Sequence, residues 1–219
     1  MVPLSKYADF KQLRTLKRQR TVLYQGEIPK AVYIIKKGTV RAYNILENGE
    51  ERTIEFLSEG DIVAANWVFG NSNSTLYYYD AFTDVTLIQI SKESFELCLN
   101  KDPEFNKHVI SVLTRRYSAS TMHANALLQT YAGSKIAQGL QFLILSSGQK
   151  LPNGKYKINV RLTQQDLADL VGVTRETAAL ELIKFKRKKI ISYKSFTYTV
   201  DYQALIRLGG GDEFTGLNI

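Results

Sequence analysis

Up to Ile90, short apolar runs alternate with turn residues. Thr21-Val22-Leu23-Tyr24 runs into Gly26, and Ala31-Val32-Tyr33-Ile34-Ile35 into Gly38. Thr39-Val40-Arg41-Ala42-Tyr43 leads to Glu47-Asn48-Gly49-Glu50, and Thr53-Ile54-Glu55-Phe56-Leu57 stops at Gly60-Asp61. Val85-Thr86-Leu87-Ile88-Gln89-Ile90 closes the series. β-Branched and aromatic residues fit strands, and Asn-Gly signals a hairpin. Short strands at this spacing predict a β-sandwich or barrel.

The period then changes. Ser91 can cap a short helix carrying Phe95 and Leu99. Asp102-Pro103 opens a long helix, with proline in a first-turn position, and no breaker follows until Gly133. Ile110, Leu113, Tyr117, Ser120, Ala124, Leu127 and Tyr131 fall at alternating steps of three and four. That spacing makes a seam of about three heptads and predicts a dimer stalk. Ile136, Leu140, Phe142 and Leu143 continue in helical spacing. Pro152-Asn153-Gly154 is a turn, and Lys157-Ile158-Asn159-Val160 a short strand.

Thr163-Gln164-Gln165-Asp166 has the form of a capping box, in the weaker version with Asp at its fourth position. Leu167, Leu170 and Val171 face inward, Gly172 permits a sharp turn, Val173 plugs it, and Thr174 caps a second helix. In that helix Ala178, Leu182 and Phe185 face inward, while Arg175-Glu176-Thr177 makes its first turn. Ile190-Ile191-Ser192-Tyr193 and Phe196-Thr197-Tyr198-Thr199-Val200 form a small wing joined at Lys194-Ser195. Two short helices about a glycine turn, then a wing, constitute a helix-turn-helix. Its second helix fits the major groove and offers its N-terminal residues to base edges. Arg175 can bond guanine in bidentate fashion, and Glu176 can accept from the cytosine amino group. Thr163, Gln165, Thr174 and Thr177 suit phosphate contacts that fix register. Gln164, Lys194 and Ser195 complete this part of the candidate set.

Charge agrees with this reading. The net charge is +8, and residues 133–219 hold 13 Lys/Arg against 7 Asp/Glu. A basic C-terminal part is what a polyanion-binding module requires. One cysteine, Cys98, excludes an internal disulfide and a cysteine-rich metal site, and it fits a reducing cytoplasm. Residues 1–6 lack the apolar stretch of a secretory signal, and no apolar run reaches the roughly 18 residues of a membrane helix.

The run Leu162 to Thr177 resembles, without a gap, the DNA-binding signature of the Crp/Fnr family. The likeness extends to Gly38, Gly49 and Gly60-Asp61 at the family's β-roll turns, and to Arg115-Arg116 and Ile136-Ala137-Gln138 at its dimer helix and hinge. The resemblance implies an α+β chain in three parts. These are a β-roll (a double-stranded jelly roll) sensing an effector over residues 1–101, a dimerisation helix over 102–132, and a winged helix-turn-helix over 133–219. It implies a homodimeric transcription regulator on a palindromic duplex, touching RNA polymerase through residues 147–154 if it activates.

The departures narrow the signal. In the family's cyclic-nucleotide branch a Gly-Glu pair holds the ribose and an Arg-Ser pair the cyclic phosphate. Counted from Gly60-Asp61, these fall on Ala64-Ala65 and Thr75-Leu76, so neither the carboxylate nor the arginine remains. A buried phosphate without a charged partner costs several kcal/mol. A response to cyclic AMP or cyclic GMP is therefore not expected. Ser120-Thr121 keeps hydroxyls where the family touches the base, and Tyr77-Tyr78-Tyr79 is either a strand with alternating rings or, with Tyr77, the lining of a pocket. The only histidines, His108 and His123, lie on the long helix and are expected at a surface or interface, not as haem ligands. A cupin-type enzyme needs histidine ligands on strands, and the β region has none. No enzyme activity, metal or cofactor is expected, and the effector is another small molecule or none. Where the family often has a second arginine on the recognition helix stands Leu180, which packs on a thymine methyl instead of bonding guanine.

Overall fold

The computed structural model describes residues 11–209. The N-terminal segment read above for a signal sequence, and the tail after residue 209, lie outside the described residues. The described chain divides within one helix, after Thr114, into two compact units.

The first unit is a β-roll. Strands β1 (Lys11–Leu16), β8 (Val85–Ile90), β3 (Val32–Lys37) and β6 (Ile62–Val63) form one antiparallel sheet in that order. Strands β2 (Thr21–Leu23), β7 (Tyr78–Ala81), β4 (Val40–Ile45) and β5 (Glu51–Leu57) form the other. Leu23, Tyr33, Ile35, Val40, Ala42, Leu57, Tyr79 and Leu87 fill the core between them. The first sheet is apolar on both faces. Val32, Ile34, Ile88 and Ile90 pack outward on Phe95 of α2 (Lys92–Lys101) and on Phe105 and Val109 of α3 (Pro103–Leu128). Coverage on both faces explains the continuous runs in β3 and β8, since alternation survives only where one face meets water. Ser91 caps α2, its hydroxyl accepting from Ser94 N at 3.1 Å. Gly38 turns β3 into β4 at φ +92°, where a Cβ would stand 2.3 Å from the backbone oxygen of Asp84.

Three expectations move here. Strand β1 and the short helix α1 (Ala65–Val68) carry no apolar period and were not foreseen. The long helix ends at Leu128, not at Gly133. Gly133 lies in the first turn of α4 (Ala132–Ser147), which begins after the extended residue Tyr131. Tyr131 is therefore outside the helix whose seam it was expected to extend.

The second unit is a winged helix. Helix α4 is buried from Ile136 to Ser147 and packs beside α5 (Gln164–Val171), α6 (Arg175–Arg187) and α7 (Tyr202–Gly209). The last of these was not foreseen. Gly139 is the point of closest approach, because a Cβ there would meet Val171 Cγ1 at 2.4 Å. Strands β11 (Ile191–Lys194), β12 (Thr197–Val200), β10 (Tyr156–Ile158) and β9 (Gly148–Lys150) make an antiparallel sheet in that order. Residues 147–154, expected as a loop, thus contribute strand β9. The strand expected at Lys157–Val160 begins one residue earlier and ends two residues earlier, at Tyr156–Ile158. Arg115 on α3 donates to the last-turn carbonyls of α4, at 3.3 Å from Leu145 O and 3.0 Å from Ser146 O.

Candidate DNA interface

The helix-turn-helix closes by short-range bonds. Thr163 Oγ1 accepts from Asp166 N at 3.1 Å, and Asp166 Oδ2 accepts from Thr163 N at 2.7 Å, which completes the capping box. Gly172 ends α5 at φ +66°, a left-handed conformation that favours glycine. Thr174 starts α6, its hydroxyl accepting from Thr177 N at 3.2 Å and lying 2.9 Å from Thr177 Oγ1. Leu167, Leu170 and Val171 on α5, and Ala178, Leu182 and Phe185 on α6, are buried together with α4.

The opposite face of α6 is bare. Arg175 and Glu176 are exposed and have no hydrogen bond or ion pair among the described residues, and Leu180 is 61% exposed. Gln165 turns its amide to Asp169 at 2.7 Å, and Gln164 is half-buried. The three threonines of the candidate set spend their hydroxyls on helix caps. What they leave toward solvent is the first turns of two helices, which attract anions.

The wing is joined one residue later than expected, at Ser195-Phe196, while Lys194 ends β11. Lys194 and Ser195 are exposed. Lys186 Nζ lies 5.0 Å from the Tyr193 ring centroid, and Tyr193 and Tyr198 pack at 5.5 Å. Burial pushes the Tyr198 hydroxyl up to about 12, with neighbouring Tyr193 and Asp166 adding to the rise. The carbonyl of Phe196 accepts from Leu162 N at 3.0 Å, which ties the wing tip to the residue before the α5 cap.

Two family descriptions match this chain. The cyclic nucleotide-binding domain matches residues 13–102, and the Crp-like helix-turn-helix domain matches residues 134–208. The chain belongs to the Crp/Fnr family of DNA-binding transcription regulators. A global nitrogen regulator of Nostoc sp. is 29% identical over 86% of this chain and 84% of that protein. The cAMP-activated global transcriptional regulator CRP of Escherichia coli is 24% identical over 82% of this chain and 85% of its own. The structure of FixK2 from Bradyrhizobium japonicum matches with a TM-score of 0.72 at 18% identity, covering 90% of this chain and 96% of that one. These family members are regulators, not enzymes.

In the β-roll, the positions where the family's cyclic-nucleotide branch keeps its ligand pairs hold other things. Ala64 and Ala65 are buried at the start of α1, with Ala64 at φ +54°. Thr75 is buried and its hydroxyl donates to the carbonyl of Tyr24, while Gly26 N bonds Thr75 O at 2.9 Å. Leu76 is exposed, and Tyr77 packs against the core with its ring 6.5 Å from that of Tyr79. Tyr79 points inward and Tyr78 outward, stacked on Tyr43 at 5.4 Å, so rings alternate as a strand requires. Among the described residues no lysine or arginine is buried. Arg41 lies on the outer sheet face, pairing with Asp80 at 2.6 Å and Glu51 at 2.7 Å. In the second unit, Ser120 and Thr121 are exposed, and Thr121 Oγ1 donates back to Tyr117 O at 3.1 Å.

One histidine departs from expectation. His123 is buried, not at a surface, with its ring stacked 4.8 Å from that of Phe142. His108 is half-buried. No group of three or more metal-ligating residues occurs among the described residues, and no helix there is long and apolar enough to cross a membrane.

Proposed function

We propose that this regulator works as a cytoplasmic homodimer that reads a palindromic duplex through α6, and that its β-roll answers to a signal other than cyclic AMP or cyclic GMP. The observation that carries the reading is the bare first turn of α6, where Arg175 and Glu176 are free while the other face of the helix is buried. In the major groove Arg175 donates to guanine O6 and N7, Glu176 accepts from a cytosine amino group, and Leu180 meets a thymine methyl. Gln164, Gln165 and Thr174 place backbone N–H groups against phosphates, Thr163 and Thr177 hold those first turns in shape through their caps, and Lys194 and Ser195 lie on the DNA backbone beside them.

Dimerisation is supported by α3. Ile110, Tyr117 and Leu127 are exposed along one row, with Ser120 and Ala124 between them and Leu113 half-buried. Leu128 and Tyr131 extend the exposed apolar surface. An apolar row of this size on one chain marks an interaction face. RNA polymerase is the further partner if the regulator activates, through the hairpin that carries residues 147–154. The candidate effector residues are Ala64, Ala65, Thr75, Leu76 and Tyr77 of the roll and, separately, Ser120 and Thr121 of the long helix. Its lack of a cation and a ribose carboxylate supports an apolar or uncharged small molecule, or none. Residues 1–101 are assigned as sensor and 133–219 as reading head, and within 102–132 the stalk is the helix that ends at Leu128.

The test is selection of a duplex from a random pool, followed by titration at several salt concentrations. Affinity should fall steeply with salt. Arg175→Ala should weaken specific binding by roughly 1–3 kcal/mol and lose discrimination at one G·C position. Cyclic AMP and cyclic GMP should leave affinity unchanged, and tightening by either overturns the effector part alone.

A further inference from the structure

The wing tip combines features that folding alone does not favour. Lys194 pairs with Thr197, so Ser195 and Phe196 form a two-residue hairpin loop. Both have positive φ, +50° and +65°. Such loops favour Asn-Gly or Gly-Gly, because a side chain in the left-handed region crowds its own backbone. Phe196 is also 57% exposed, and its ring meets no other ring or cation among the described residues. Glycine here would relax the turn and hide an apolar surface from water. A large aromatic at a strained, exposed position points to a contact outside the chain.

The carbonyl of Phe196 bonds Leu162 N at 3.0 Å, so the backbone of this turn is held beside the residue that precedes the α5 cap. The first helix of a helix-turn-helix crosses the DNA backbone. Arg161, next to Leu162, and Lys194, two residues before Phe196, are both exposed. The strand pair beneath is stiffened by the Tyr193–Tyr198 contact and by Lys186 over Tyr193. An exposed apolar ring on a turn whose two bonded segments each carry an exposed basic residue suits a surface that is anionic at its phosphates and apolar at its sugars.

We propose that Phe196 is a DNA-contacting residue, its ring packed on a deoxyribose at the minor-groove wall flanking each half-site. Apolar side chains, phenylalanine among them, are established minor-groove contacts, where they wedge between base steps; here the ring would stay at the sugar edge. The proposal rests on the DNA-reading assignment above, and it adds a contact that carries no charge.

The experiment compares full-length wild type, Phe196→Gly, Phe196→Asn, Lys194→Ala and Arg175→Ala on the selected duplex across salt concentrations. Phe196→Gly and Phe196→Asn both suit a left-handed turn, so their melting temperatures should equal or exceed wild type. Both should bind about tenfold more weakly, with the slope of log affinity against log salt unchanged. Lys194→Ala should instead reduce that slope by about one. Phe196→Trp should keep its affinity and change its fluorescence on binding duplex. Wild-type affinity in both Phe196→Gly and Phe196→Asn, or a reduced salt slope in them, overturns the proposal while an impaired Arg175→Ala leaves the DNA-reading assignment standing. Failure of the wild type to bind any duplex overturns both.

Discussion

His123 Nε2 lies 2.7 Å from the carbonyl oxygen of Leu170. A carbonyl only accepts, so this nitrogen carries the proton and donates. Leu170 sits in the last turn of α5, where carbonyls have no intrahelical partner. A side chain of α3 therefore finishes the first helix of the helix-turn-helix, as Arg115 finishes α4. His123→Ala leaves a buried carbonyl unmet and removes the stack on Phe142. The winged-helix unit should lose about 1–3 kcal/mol, read by denaturant unfolding. An unchanged midpoint would show that the bond contributes nothing.

Gly139 faces Val171 with no room for a methyl group. Glycine to alanine inside a helix ordinarily gains about 1 kcal/mol. Here overpacking reverses the sign, and Gly139→Ala should cost about 1–3 kcal/mol. Adding Val171→Ala should recover part of the loss if the clash is the cause. A Gly139→Ala protein as stable as wild type would contradict the close approach of α4 and α5.

Burial raises the Tyr198 hydroxyl from 10.0 to about 12. The folded state then holds this proton more tightly than the unfolded chain. Stability is fully present below pH 10 and declines between pH 10 and 12, by at most about 1.4 kcal/mol per pH unit. Tyr198→Phe should flatten much of that decline. Tyr202 is shifted upward too, chiefly by burial, so a residual slope should remain. Parallel alkaline stability curves for wild type and Tyr198→Phe would refute the assignment.

Tyr117 is 75% exposed on α3. Tyr117→Glu together with Leu127→Glu sets like charges on the proposed dimer seam. Sedimentation should find the variant monomeric and the wild type dimeric at micromolar concentration, and DNA affinity should fall with the dimer. A monomeric wild type removes the dimer assignment.

The helix-turn-helix was legible in the sequence because its bonds are local. Thr163 reaches Asp166, Thr174 reaches Thr177, and Gly172 needs only its own φ. Hydrophobic period and turn residues likewise marked β3, β4, β5 and β8. Strand β1 was not legible, since Lys11-Gln12-Leu13-Arg14-Thr15-Leu16 is mostly polar and becomes a strand by pairing with β8, from Lys11 opposite Ile90 to Leu16 opposite Val85. The same holds for β9, a strand of Gly148-Gln149-Lys150 against β10.

Local pattern alone made the family, the helix-turn-helix and the departures at Ala64-Ala65 and Thr75-Leu76 from the cyclic-nucleotide motif legible. It took the folded chain to show that Thr75 is spent on Tyr24, that His123 is buried against Leu170, and that the wing turns on Phe196. The physical reason is separation. Caps, turns and periods are decided within a few residues, whereas these three depend on partners that no local pattern names.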